Sequence, residues 1–137
     1  MKRILRQWLW AAAVAALISL GSLYFHRSEL VWAAQANALV DLPEVSKWPK
    51  VLWVDARAET AFQADHIPGA ISLNEADWSR GLPAFLAAWS PGTKVVIYCD
   101  SAECGNSAEV TARLRRELQL KDVFVLRNGW KAWKERS

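Results

Sequence analysis

The chain has 137 residues, 53% hydrophobic and 23% charged with nine Trp, a composition that excludes a disordered or low-complexity protein. After an apolar N-terminal segment, this length leaves room for one globular domain of roughly 100 residues and excludes a second. Lys2, Arg3 and Arg6 supply the whole net charge of +3, because residues 27–137 carry 14 basic and 14 acidic side chains; with no basic stripe, nucleic acid is not an expected partner.

In chain order, Trp8 to Phe25 (WLWAAAVAALISLGSLYF) runs 18 residues without a charge, close to the shortest helix that crosses a hydrocarbon core. Residues 1–26 therefore read as a single transmembrane anchor whose partner, through residues 8–25, is the lipid bilayer. Lys2, Arg3 and Arg6 precede the span, and only His26 and Arg27 follow it closely. That bias places the N-terminus in the cytoplasm and the domain on the periplasmic side of an inner membrane. A cleaved secretory signal is the alternative, with Ala34-Gln35-Ala36 as its small-x-small site, but that site lies about ten residues beyond the apolar run. Either way the domain enters an oxidising compartment, which bears on its two Cys.

Residues 27–45 are expected to form a helical stalk or linker, since Leu30, Val31, Ala34, Ala38 and Leu39 recur at helical spacing up to Leu42-Pro43. The domain proper is then residues 46–137. Its segments alternate: Val51 to Val54 as a strand, Glu59 to Ala64 as a helix, Ala70 to Leu73 as a strand and Pro83 to Trp89 as a helix. Pro91-Gly92 makes a turn, and Val95 to Tyr98 is a strongly apolar strand. Ser107 to Leu118 is the clearest helix, with Ser107 as its N-cap and Val110, Leu114 and Leu118 on one face. Val123 to Leu126 is a last strand, and Gly129-Trp130 opens a short helix. This alternation predicts an α/β fold, a mainly parallel sheet with helices on both faces. In such sheets ligands bind beyond the carboxyl ends of the strands, and Cys99 stands at that end of the most apolar strand.

Most of the polar positions have a structural use. Asp55 ends a strand and can accept N–H bonds from the following turn, while Arg57 offers it a donor fork. His66-Ile67-Pro68-Gly69 combines a fixed φ with a permissive one and suits a tight turn, with His66 hydrogen-bonded there rather than acting as a base. Trp130 and Trp133 read as packing aromatics. The loop Cys99-Asp100-Ser101-Ala102-Glu103-Cys104-Gly105-Asn106-Ser107 is different in kind. It joins a buried strand to a helix N-terminus, where successive backbone N–H groups favour an anion or a thiolate and lower a Cys pKa from about 8.5. With two thiols and no convincing further ligands, no metal site is expected.

Taken together, Val54-Asp55-Ala56-Arg57, Phe62, Asp65-His66-Ile67-Pro68-Gly69-Ala70, Val96-Ile97-Tyr98-Cys99 and Asn128-Gly129-Trp130-Lys131-Ala132-Trp133 resemble the rhodanese homology domain over residues 48–134. The resemblance implies a sulfurtransferase or persulfide carrier. In that chemistry Cys99 attacks a sulfane sulfur, holds it as a persulfide cradled by the loop amides, and passes it to a nucleophilic acceptor without metal or organic cofactor. Asp55, Arg57, His66, Pro68, Gly69, Gly129 and Trp130 carry the structural part of the motif.

The loop departs from the family. Active members place an Arg five residues after the Cys, followed by Ser or Thr; here that position is Cys104, and the first Arg downstream is Arg113. Aligning Ser107 with the Ser or Thr lengthens the loop by about two residues and still leaves no Arg. Asp100 and Glu103 oppose both thiolate formation and an anionic donor such as thiosulfate. Cys104 is either a resolving thiol that attacks a Cys99 persulfide, or a structural or buried Cys. Two other functions therefore stand beside the enzyme: an inactive binding or redox-sensing module for a protein partner, and a dithiol oxidoreductase using Cys99 and Cys104.

Overall fold

The computed structural model describes residues 39–100 and 105–136. The expected membrane segment, and the stalk up to residue 38, lie outside them. Among the described residues no helix is long and apolar enough to cross a membrane.

Five strands form one sheet: β1 (Leu39–Val40), β2 (Val51–Asp55), β3 (Ile71–Ser72), β4 (Lys94–Tyr98) and β5 (Val123–Leu126). Their order is β1-β5-β4-β2-β3, and every pairing is parallel. The helices are α1 (Leu42–Val45), α2 (Glu59–Ala64), α3 (Trp78–Ala88), α4 (Gly105–Glu117) and α5 (Gly129–Lys134). Because both faces of the sheet are covered, the central strand has no polar alternation. Val95, Val96, Ile97 and Tyr98 are all fully buried.

The pleat sends alternate residues to two separate cores. Val95 and Ile97 join Leu52, Val54 and Val123 against Trp78 and Phe85 of α3 and Val110 and Leu114 of α4. Val96 and Tyr98 face the other way, toward Val45 of α1, Ile67 and Ala70, with Phe62, Trp130 and Trp133 packed around them.

Three sequence expectations are corrected. Leu39–Val40, expected as the end of a helical stalk, is a strand: Leu39 pairs with Val125 and Val40 with Leu126. The sheet thus begins upstream of residue 46, because pairing with a buried neighbour outweighs the local helix propensity of so short a piece. Helix α3 starts five residues before Pro83 and runs through it. Trp78, Leu82, Phe85 and Trp89 form an apolar stripe at helical spacing, all packed in one core, and its burial outweighs the hydrogen bond that Pro83 cannot donate. Helix α4 starts at Gly105, so Ser107 is a buried residue of its first turn rather than the N-cap, and its carbonyl accepts from Thr111 Oγ1 at 2.7 Å.

Candidate functional site

Strand register builds the site. β2 and β4 are aligned with Val54 beside Ile97 and Asp55 beside Tyr98. The ladder runs one step further, Ala56 N–H donating to the Tyr98 carbonyl at 2.9 Å, so the residues after β2 lie next to Cys99 and Asp100. On the other side Ile97 pairs with Val125, which brings the end of β5 to the same level. Asn128 and Gly129 then both adopt left-handed backbone, φ +57° and +46°, and reverse the chain into α5. The turn delivers Trp130 N–H to the Cys99 carbonyl at 2.7 Å. A side chain at residue 129 would collide with that carbonyl, so only glycine allows the approach.

Beside Cys99 lies a buried ion pair. Asp55 is fully buried and Arg57 is 5% exposed. Asp55 Oδ1 accepts from the Arg57 backbone N–H at 2.9 Å and from Nε at 3.0 Å, and Oδ2 accepts from Nη2 at 2.7 Å. Nη2 also donates to the Asp65 carbonyl at 2.7 Å. The guanidinium stacks over Trp130 at 4.3 Å and lies 5.5 Å from the Tyr98 ring. Burial acts to lower the Arg57 pKa, but the hydrogen bond and charge of Asp55, with Tyr98 and Asp100 adding to them, hold it above its ordinary value. Arg57 is therefore a fixed cation.

Tyr98 is the residue that sequence reasoning missed as part of this cluster, treating it only as a strand position. Its hydroxyl accepts Ile67 N–H at 3.1 Å, anchoring the His66–Gly69 turn to β4. Burial raises the phenol pKa well above its usual range, with the Asp55 hydrogen bond acting the same way and Ile67 N–H opposing it. A lone Tyr before a Cys carries no signal in sequence, since its partners are 31 and more residues away.

The remaining predicted residues fall into two groups. His66 stacks on Phe62 at 4.1 Å, its Nδ1 is 2.9 Å from the Phe62 carbonyl, and Gly69 has φ +79° in the turn that Pro68 enters. His66, Pro68 and Gly69 follow Asp65, whose carbonyl accepts from Arg57 Nη2. Gly105, Asn106 and Ser107 form the head of α4, while Ser101, Ala102, Glu103 and Cys104 lie outside the described residues. Cys99 is 1% exposed and disulfide-bonded; Cys104 is the other cysteine of the chain.

Chemically, the arrangement places Cys99 at the carboxyl end of the central strand, its carbonyl held by Trp130 N–H, with a buried cation following the adjacent strand and a helix N-terminus ahead in the chain. Among the described residues no group of three or more His, Cys, Asp or Glu is placed to hold a metal ion.

The family model described as a rhodanese-like domain matches residues 35–136. Among solved structures, the BH2092 protein of Bacillus halodurans is similar with a TM-score of 0.58 at 19% identity, over 80% of each chain. A protein from Lactobacillus plantarum is similar with a TM-score of 0.53 at 19% identity, over 80% of this chain and 92% of that one. At such identity the likeness is one of fold. No curated protein matches the chain.

Proposed function

Because the chain belongs to the rhodanese-like domain family, we propose that it is a membrane-tethered sulfurtransferase or persulfide carrier working through Cys99. The observation that carries this is the placement of Cys99. It closes the central strand of a parallel sheet, where such folds bind ligands, and its carbonyl is clamped by Trp130 N–H, so its backbone is held in place.

The disulfide-bonded, buried Cys99 is the resting form, and reduction supplies the thiolate. The thiolate attacks the outer sulfur of a sulfane donor, forming a new S–S bond as the donor's own S–S bond breaks and its leaving group departs with the electron pair. A nucleophilic acceptor then takes the outer sulfur and returns Cys99 as thiolate. When no acceptor is present, the Cys104 thiolate attacks Cys99 Sγ, releases hydrosulfide and restores a disulfide; the sulfane sulfur is the oxidant in that step.

The tether is residues 8–25, with the domain on the periplasmic side. Extraction at alkaline pH should leave the full chain in the membrane pellet, and protease added to spheroplasts should digest the domain. Release of the intact domain into the soluble fraction would identify the segment as a cleaved signal instead.

Full-length protein, purified in detergent and reduced, should gain the mass of one sulfur atom on Cys99 when incubated with a sulfane donor, and Cys99→Ser should abolish the gain. The disulfide on Cys99 favours one other function, a redox-sensing or dithiol module. That function prevails if every donor fails on a thiol that alkylates freely and the cysteines simply cycle between paired and reduced forms.

A further inference from the structure

Arg57 is 5% exposed, and its Nε and Nη2 are occupied by Asp55 and the Asp65 carbonyl. Its Nη1 has no hydrogen-bond acceptor among the described residues. The group it faces is Asp100, whose Oδ1 is 4.0 Å away and whose side chain is 76% exposed. A buried guanidinium thus turns its one open edge toward the residue that follows Cys99, and a solvent-facing carboxylate stands over that edge. Asp55 already neutralises the Arg57 charge, so Asp100 leaves the cluster with a net negative charge one residue from Cys99.

Building on the sulfur-transfer function above, we propose that Asp100 sets donor specificity: by covering the open edge of Arg57 beside Cys99, it excludes dianionic donors of the thiosulfate type and selects sulfane sulfur carried as the hydropersulfide of a thiol. Thiosulfate brings two charges to the carboxylate and finds the open edge of Arg57 already faced by Asp100. A hydropersulfide on an uncharged skeleton meets far less repulsion. In the favoured step the Cys99 thiolate attacks the outer sulfur of R–S–SH, the Cys99 S–S bond forms, the R–S to S–H bond breaks, and R–S⁻ leaves with the electron pair while the proton stays on the transferred sulfur. The same attack on thiosulfate expels sulfite.

Asp100→Asn removes the charge with little change of shape. The test compares rates of Cys99 persulfide formation by mass spectrometry in reduced full-length protein in detergent, with thiosulfate and with the hydropersulfide of 2-mercaptoethanol. Asp100→Asn should raise the thiosulfate rate about tenfold and leave the hydropersulfide rate within about twofold, as expected for removing one charge several ångströms from a dianion. Added salt should speed the thiosulfate reaction of the wild type more than that of the variant. Asp122→Asn, an exposed acid before the amino end of β5, should change neither rate.

The proposal is overturned if the wild type loads from thiosulfate as fast as from the hydropersulfide, if Asp100→Asn raises both rates alike or neither, or if Asp122→Asn reproduces its effect. No adduct from either donor in any of the proteins, with Cys99 freely alkylated, would remove the sulfur-transfer function itself.

Discussion

Gly129 and Gly69 both have positive φ, +46° and +79°, but only Gly129 is pressed against a neighbour, the Cys99 carbonyl. Nothing lies within 4 Å of a Cβ at Gly69. An alanine at residue 69 meets only the backbone penalty, about 1 kcal/mol. Gly129→Ala must also move α5 off β4, which costs Trp130 N–H its acceptor, for a total of roughly 2–4 kcal/mol. Urea denaturation of the two variants measures the difference; equal losses would show that the close approach contributes nothing. At this scale the Asp55–Arg57 pair was legible in sequence, because two residues at a strand end reach each other without help from the rest of the chain. The stacking of Arg57 on Trp130 and the bond from Ile67 to Tyr98 were not, since they depend on strand register and on how α5 docks.

Among the elements, strands and helices announced by a dense apolar pattern came through with bounds close to those expected: β2, α2, β4 and β5 differ by a residue or less. Two of the misreadings share one cause, a local signal overruled by packing against the rest of the sheet and core. Pro83 marks a helix start in isolation, yet the stripe from Trp78 to Trp89 continues across it. Leu39 and Val40 follow a helical pattern, yet β5 offers them a free edge, and Val40 ends 6% exposed with its carbonyl accepting from Arg127 N–H at 2.8 Å. Val40→Asp distinguishes the two environments. On a solvated stalk it would be neutral; in β1 it buries a carboxylate against Leu126 and Val45, and roughly 2–4 kcal/mol of stability should be lost. Thermal melts of the full chain in detergent provide the measurement, and an unchanged midpoint would return residues 39–40 to the stalk.

For the whole molecule, one sheet serves two cores, and Tyr98 on its central strand connects the second of them to the turn at Ile67. Such a fully buried phenol couples folding to alkaline pH. Its folded pKa is raised above the unfolded value of about 10, first by burial and then by Asp55. Above that pH the unfolded chain releases the proton while the folded protein retains it, so the unfolded state binds fewer protons and stability falls with rising pH. The contribution is complete below pH 10 or so and is lost progressively above it, by up to about 1.4 kcal/mol per pH unit. Tyr98→Phe removes the titration but leaves Ile67 N–H without its acceptor, which costs about 1–2 kcal/mol at neutral pH. Urea midpoints measured from neutral pH into the alkaline range should start lower in the variant and then converge on those of the wild type, because only the wild type carries this alkaline slope. Parallel curves at every pH would mean that the Tyr98 hydroxyl titrates alike in the folded and unfolded chain, and that solvent reaches it through the aromatic layer of Trp53, Trp130 and Trp133.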